Sequence, residues 1–224
     1  MNPLSDRAIR QRELIPPERL ARSQAVVIGV GAIGRQVALQ LAALGAPQLL
    51  LIDHDVVAVE NLAVQGYWPS DLELLKVKAT ATLCRHINPE MNLQTVPERF
   101  RRSLWRDAQL QSDVAVFFCV DSIATRKVIW DSVHSRVGLV IDGRMNGEVL
   151  RVLASDQPQR DAHYPSTLFA ASEAYLGSCT ARSTIYAASI AAGLMVGQFA
   201  RQLRDLPVIA DQTLNLLAAE LLVG

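Results

Sequence analysis

Val26-Val27-Ile28-Gly29-Val30-Gly31-Ala32-Ile33-Gly34 runs straight into Arg35-Gln36-Val37-Ala38-Leu39-Gln40-Leu41-Ala42-Ala43-Leu44-Gly45, and Leu49-Leu50-Leu51-Ile52-Asp53 follows. These stretches read as strand, glycine turn and helix, then a second strand. Apolar, mostly β-branched residues lead into Gly-x-Gly-x-x-Gly, apolar residues recur at helical spacing, and Gly45 stands where a helix stop is expected. Gly29 permits the turn, Gly31 lets backbone approach a phosphate, and Gly34 lets the helix sit close to the strand. The helix start, with Ala32 and Ile33, offers unpaired N–H groups and a positive dipole end to an anion. Asp53 ends the second strand about 20 residues after the glycines, where an acid normally meets a ribose hydroxyl. The expectation is nucleotide binding; a tight turn without a ligand is the alternative the glycines leave open.

Working outward, residues 114–120 form a continuous apolar run, as in a strand buried on both faces of a parallel sheet, and the run ends at Asp121. A helix over 123–135 and a strand over 138–143 follow. A strand over 148–154 is expected to be antiparallel, because only a short turn precedes it. Upstream, a helix over 76–87 stops at Asn88-Pro89, a short strand covers 93–96, and a helix carries Leu104 and Leu110. Residues 54–65 lack clean periodicity and read as a loop with placed side chains. Residues 5–14 read as a basic helical arm, broken at Pro16-Pro17, with a short helix over 18–23. The small-residue helix over 185–201 suits a core or a dimer seam, and 213–223 suits a final strand or helix. The fold class expected is a Rossmann-like, doubly wound α/β chain: a mostly parallel sheet with antiparallel C-terminal strands, one domain over 1–224 with an N-terminal arm over 1–23.

Twenty-two basic residues balance 22 acidic ones, so no charge excess calls for nucleic acid. Three cysteines without a Cys-x-x-Cys pair argue against a disulfide framework and a four-cysteine zinc site. No apolar run has the length and flanks of a signal peptide or membrane span. A cytoplasmic chain without a membrane partner is expected.

The order Arg7-x-x-Arg10-Gln11, the glycine turn, Asp53-x-Asp55-x-Val57-x-x-x-Asn61-Leu62-x-x-Gln65, Lys76 opening a helix, and a strand ending in Cys119-x-Asp121 resembles the ThiF, MoeB and ubiquitin-activating-enzyme superfamily over residues 7–205. The resemblance implies ATP-dependent adenylylation, with magnesium, of the C-terminal carboxylate of a ubiquitin-like or sulfur-carrier protein or peptide, by a homodimer. It implies that Asp53 binds ribose, that Asp55, Asn61 and Gln65 belong to the loop over the nucleotide, and that Lys76 contacts phosphate. It implies magnesium at Asp121, Arg10 reaching into the partner subunit's ATP site, and Cys179 forming a covalent link to the carrier. The residues themselves leave plainer roles open: loop capping for Asp55 and Asn61, a solvated lysine at 76, an N-cap at Asp121, a surface ion pair at Arg10, and packing at Cys179. Cys84 and Cys119 read as core, and Lys78 points away from Lys76.

Carboxylate attack on the α-phosphorus brings anions together, so such a site must supply cations and fixed N–H dipoles; the nucleophile is already ionised and needs no general base. Against that need, Val64 stands where the family carries an ATP-contacting arginine. Arg35, Arg126 or Arg144 could supply the charge; otherwise the chain is a catalytically weakened nucleotide-binding partner protein. An NAD-dependent oxidoreductase using the same turn is a further alternative. The family's zinc-binding cysteine pairs are absent, with His163-Tyr164-Pro165-Ser166 where the first would stand, so no structural zinc is expected and His163 reads as surface or core. The chain also lacks room for a separate catalytic-cysteine or ubiquitin-fold domain.

Overall fold

The computed structural model describes residues 7–107, 113–169 and 183–224. One eight-stranded sheet runs through them in the order β3-β2-β1-β4-β5-β6-β7-β8. The first five of these are parallel: β1 (Ala25–Ile28), β2 (Gln48–Ile52), β3 (Asn92–Val96), β4 (Ala115–Phe118) and β5 (Leu139–Asn146). Then β6 (Val149–Ser155), β7 (Asp211–Asn215) and β8 (Glu220–Val223) extend it antiparallel. The 213–223 tail thus resolves into the end of β7 and β8.

Strand alternation splits the core into two layers. Ala25, Val27, Ala115 and Phe117 face one way, where α2 (Ala32–Leu44), α4 (Lys76–Ile87) and α8 (Ile185–Leu203) bury Val37, Leu41, Val77, Cys84, Ala188 and Phe199. Val26, Ile28, Val116 and Phe118 face the other way, onto Trp105 of α5 (Arg102–Asp107), Ile129 and Trp130 of α6 (Ile123–Val133) and Tyr164 of α7 (His163–Ser166). Every residue of β1 and β4 is buried, which is why both read as unbroken apolar runs. Each fully buried Val, Ile or Phe contributes about 1.5–3 kcal/mol. Small residues let α8 approach closely: Ala187, Ala188, Ala191 and Ala192 are buried, and Gln40 of α2 donates to the Ser189 carbonyl at 3.1 Å. Its other side leaves Ile185, Tyr186 and Ile190 exposed. No helix of the described residues is long and apolar enough to cross a membrane.

Three expectations need correction. The presumed loop over 54–65 contains a helix, α3 (Val59–Gln65). The described part of the arm is not an α-helix but turns around a single 3₁₀ turn, Ile9–Gln11; the short helix after Pro16 is α1 (Pro17–Leu20). The strand expected to end at 143 runs on to Asn146, because β6 pairs back against it through Asn146 and Val149.

Candidate functional site

The turn between β1 and α2 lies at the carboxyl edge of the sheet, between β1 and β4, where the winding reverses and open α/β sheets bind ligands. Gly29 has φ +89°, and a Cβ there would lie 2.6 Å from the Cys119 carbonyl oxygen, so only glycine lets the turn touch the end of β4. A Cβ on Gly34 would lie 1.9 Å from the Gly29 oxygen; helix and turn meet backbone to backbone. Gly31 differs. The nearest atom to its Cβ position is Gln65 Nε2 at 3.9 Å, which leaves open space at the N-cap of α2 beside the unpaired N–H groups of its first turn. That cradle fits a nucleotide's phosphates.

Val30 is held from both sides. Its N–H donates to Asp53 Oδ2 at 2.6 Å, and its carbonyl accepts from the Tyr67 hydroxyl at 2.7 Å. Tyr67 also meets Thr80 Oγ1 of α4 at 3.2 Å, and burial pushes its phenol well above the ordinary range. Asp53, buried, accepts a second N–H from Asp55 at 2.8 Å. The acid expected at a ribose therefore also anchors the turn, and each of its oxygens keeps a lone pair for a hydroxyl.

Lys76, the first residue of α4, is only 6% exposed, and its Nζ lies 3.0 Å from Asp55 Oδ2. The two stretches are drawn together by a bridge between Val56 and Leu75 and by the Lys76 N–H donating to the Asp55 carbonyl at 2.9 Å. The solvated-lysine reading of Lys76 is thereby overturned, and Lys78 is the exposed one. Asn61 Oδ1 accepts from the Ala58 N–H at 2.9 Å, capping the start of α3 and leaving its amide nitrogen uncommitted to that cap. Asp121, exposed beyond β4, does not cap α6: Ser122 does, its Oγ accepting from the Thr125 N–H at 3.3 Å. An exposed carboxylate at the switch point suits a hard, oxygen-seeking cation such as magnesium. Among the described residues Asp53, His54 and Asp55 also bring possible metal donors within 4.8 Å of one another, but Asp53 holds backbone, His54 accepts from Arg99 and Asp55 pairs with Lys76.

The candidate replacements for the cation missing at Val64 separate cleanly. Arg126 and Arg144 both bind Asp142, which is fully buried, at 2.8 and 2.7 Å. Arg126 also donates to the Gly143 carbonyl, Arg144 to Thr167, and Tyr164 to Asp142 at 3.1 Å. Burial and the Asp142 charge push the Tyr164 phenol upward. This network joins α6, β5 and α7, and no sequence pattern announced it. Arg35 has no such acceptor. It is 4% exposed, its guanidinium carbon lies 4.7 Å from the Tyr67 ring centre, and its Nε is buried without a hydrogen-bond partner. Burial pulls its pKa below the ordinary guanidinium value, opposed by the nearby Tyr67 and Asp71. Gln65 Oε1 is likewise buried and unpartnered.

Arg10 is exposed and is not brought to this site; its neighbours Arg7 and Gln11 donate to carbonyls at the other end of α2, those of Ala42 and Leu44. Cys179 lies outside the described residues. Burial pushes the Cys84 thiol up to about 12 and the Cys119 thiol higher still, with Asp142 adding to the latter, so both stay protonated at neutral pH. His163 pairs with Asp211 at 3.0 Å.

The ThiF family model matches residues 7–218. The sulfur carrier protein ThiS adenylyltransferase of Escherichia coli (strain K12) is 33% identical over 113 residues, 50% of this chain and 45% of that protein, so the match spans under half the length of the relative. Among solved structures, E. coli MccB superposes with a TM-score of 0.76 at 13% identity, over 92% of this chain and 63% of that one. The E. coli tRNA N6-threonylcarbamoyladenosine dehydratase TcdA, in complex with ATP, gives a TM-score of 0.71 at 16% identity, over 92% of this chain and 96% of that one. These likenesses agree on the fold.

Proposed function

The chain belongs to the ThiF family, and from that premise we propose that it is an ATP-dependent adenylyltransferase acting on the C-terminal carboxylate of a sulfur-carrier or ubiquitin-like protein or peptide. The reading is carried by one observation: the open, Cβ-free cradle at Gly31 faces the β1–β4 switch point, with Asp53 beneath the turn and Asp121 exposed beyond β4. In the proposed reaction a carboxylate oxygen attacks the α-phosphorus, the new carboxyl–phosphate bond forms, and the bond to the β-phosphate oxygen breaks with pyrophosphate taking the electron pair. The N–H groups at the start of α2 and the Lys76 ammonium neutralise charge on the phosphates; Asp53 receives the ribose hydroxyls. Lys76 is kept in place by Asp55 until phosphate competes for it. Magnesium held at Asp121 would supply further positive charge to the leaving pyrophosphate.

Arg10, exposed away from its own chain's cradle, supports assembly as a homodimer in which it serves the partner's site. Cys179 is retained as the proposed thiol for a later covalent step, since Cys84 and Cys119 are both held as thiols.

Pyrophosphate exchange into ATP, measured with the purified chain and candidate carriers ending in a free glycine, tests the reading. Exchange that requires a carrier and is lost in Asp121→Ala supports it. Exchange untouched by that substitution, or ATP binding with no adenylate on any carrier, overturns it, the latter in favour of a nucleotide-binding partner protein.

A further inference from the structure

Of the two arginines buried in the described residues, Arg126 is bound by Asp142, whereas Arg35 makes no ion pair within 4.0 Å, Asp71 acting on it only from farther off, and its Nε is buried without an acceptor. A buried guanidinium with an unmet donor costs stability, and such a group persists where something outside the chain completes it. Its position indicates what that is. Arg35 lies one turn after Gly31 on the same face of α2, its N–H donating to the Gly31 carbonyl at 3.0 Å. Helical side chains lean toward the helix N-terminus, so this one runs back toward the cradle. Its Nη1 lies 3.4 Å from where a Cβ on Gly66 would stand, next to Gln65, whose own Oε1 is unpartnered and whose Nε2 borders Gly31. Val64, where the cation is missing, belongs to this same stretch.

We infer that Arg35 is the arginine that contacts the β- and γ-phosphates of ATP in this chain, supplying from α2 the positive charge absent from α3 at Val64. The inference rests on the proposed ATP site. Bound nucleotide gives the guanidinium the acceptor it lacks, and the Tyr67 ring beneath it keeps the fork on one side. Gly66 belongs to the same arrangement: at φ +74°, with Ile185 Cδ1 at 3.1 Å and Arg35 Nη1 at 3.4 Å from its Cβ position, a side chain there would press on the guanidinium.

Titration calorimetry of the full chain with ATP and with AMP, both with magnesium chloride, tests this in the wild type, Arg35→Met and the double variant Arg35→Met with Val64→Arg. Arg35→Met is expected to weaken ATP binding by about tenfold or more and to leave AMP within about twofold, since AMP lacks the phosphates the fork would hold. Adding Val64→Arg is expected to restore part of the preference for ATP. Thermal unfolding without nucleotide should show Arg35→Met as stable as the wild type or more so, because an unpaired buried charge has been removed. An unchanged ATP-to-AMP ratio in Arg35→Met overturns the inference, and does so most plainly if the midpoint also falls, which would mark Arg35 as packing only. Should Arg35→Met not fold, Arg35→Gln carries the same comparison. A wild type with no preference for ATP over AMP defeats the proposed function itself. A preference that depends on Arg35 without any carrier adenylation supports this inference while removing the adenylyltransferase reading.

Discussion

The Tyr67 hydroxyl donates to the Val30 carbonyl at 2.7 Å, reaching across 37 residues of sequence to hold the glycine turn. With Asp53 on the Val30 N–H, both polar groups flanking one residue are fixed by side chains from different elements. Tyr67→Phe keeps the ring under Arg35 and removes the hydroxyl, and with it the bond to the Val30 carbonyl and the contact with Thr80. Leaving a buried carbonyl short of its partner costs about 1–3 kcal/mol, read from urea unfolding, and the loosened turn should bind ATP more weakly. Unchanged stability and affinity would show that the phenol does not hold the turn.

Gly31 and Gly34 should respond oppositely to the same added methyl. In Gly34→Ala the Cβ meets backbone oxygen at 1.9 Å, so α2 must move off the turn at a cost of about 3 kcal/mol or more. In Gly31→Ala the nearest atom is 3.9 Å away, so the fold tolerates it while ATP affinity drops by about tenfold or more, the methyl occupying the phosphate's place. Equal losses of stability in the two variants would contradict the open cradle.

Asp121 and Ser122 are adjacent but separable. Ser122→Ala removes the α6 cap and should cost about 1 kcal/mol in stability with exchange activity retained. Asp121→Ala, at an exposed position outside the cap, should stay within about 0.5 kcal/mol of the wild type while exchange falls by about a hundredfold. Chemical denaturation run beside the exchange assay resolves the two effects.

The C-terminal strands carry a pH-dependent contribution. Arg151, bound to Asp211 at 2.5 and 2.9 Å, holds that carboxyl below its ordinary value of 3.8, with His163 helping and burial opposing. The folded state therefore binds fewer protons at this site than the unfolded chain. The contribution is complete above about pH 5 and is lost as pH falls through the ordinary carboxylate range toward the lowered folded value. Asp211→Asn should be less stable than the wild type between about pH 5 and 8, and the gap should narrow below about pH 4 in urea titrations across that range.

The parts of the site legible in the sequence sit at the ends of strongly patterned elements. Gly29, Gly31, Gly34 and Asp53 close β1 and β2, Lys76 opens α4 and Asp121 follows β4, so strand runs and helical spacing located them. The helix α3 left little trace, because it buries no residue fully and its seven residues give the apolar spacing of Val59, Leu62 and Ala63 no second turn in which to repeat. It is set by its ends, Asn61 accepting from the Ala58 N–H and Gly66 closing it at φ +74°. Asp142 was hidden differently. It sits within an apolar strand and finds Arg126 16 residues away through packing of α6 on the sheet, a pairing without any local period. Arg35 reads from the sequence as a cation near the turn, but its missing acceptor is a matter of tertiary packing, as is the pairing of Arg126 and Arg144 with Asp142.

Arg7 and Gln11 fasten the start of the described chain to the carboxyl end of α2, and Arg10 stands exposed between them. The 13 residues of α2 put about 20 Å between that end and the glycine turn, far beyond an arginine's reach. In the proposed homodimer, whatever Arg10 gives to catalysis would therefore be lent to a neighbour. A chain crippled at Arg10 and another crippled at Lys76, each inert alone, would assemble one working pocket between them when mixed, and dilution that parted the pair would silence it again.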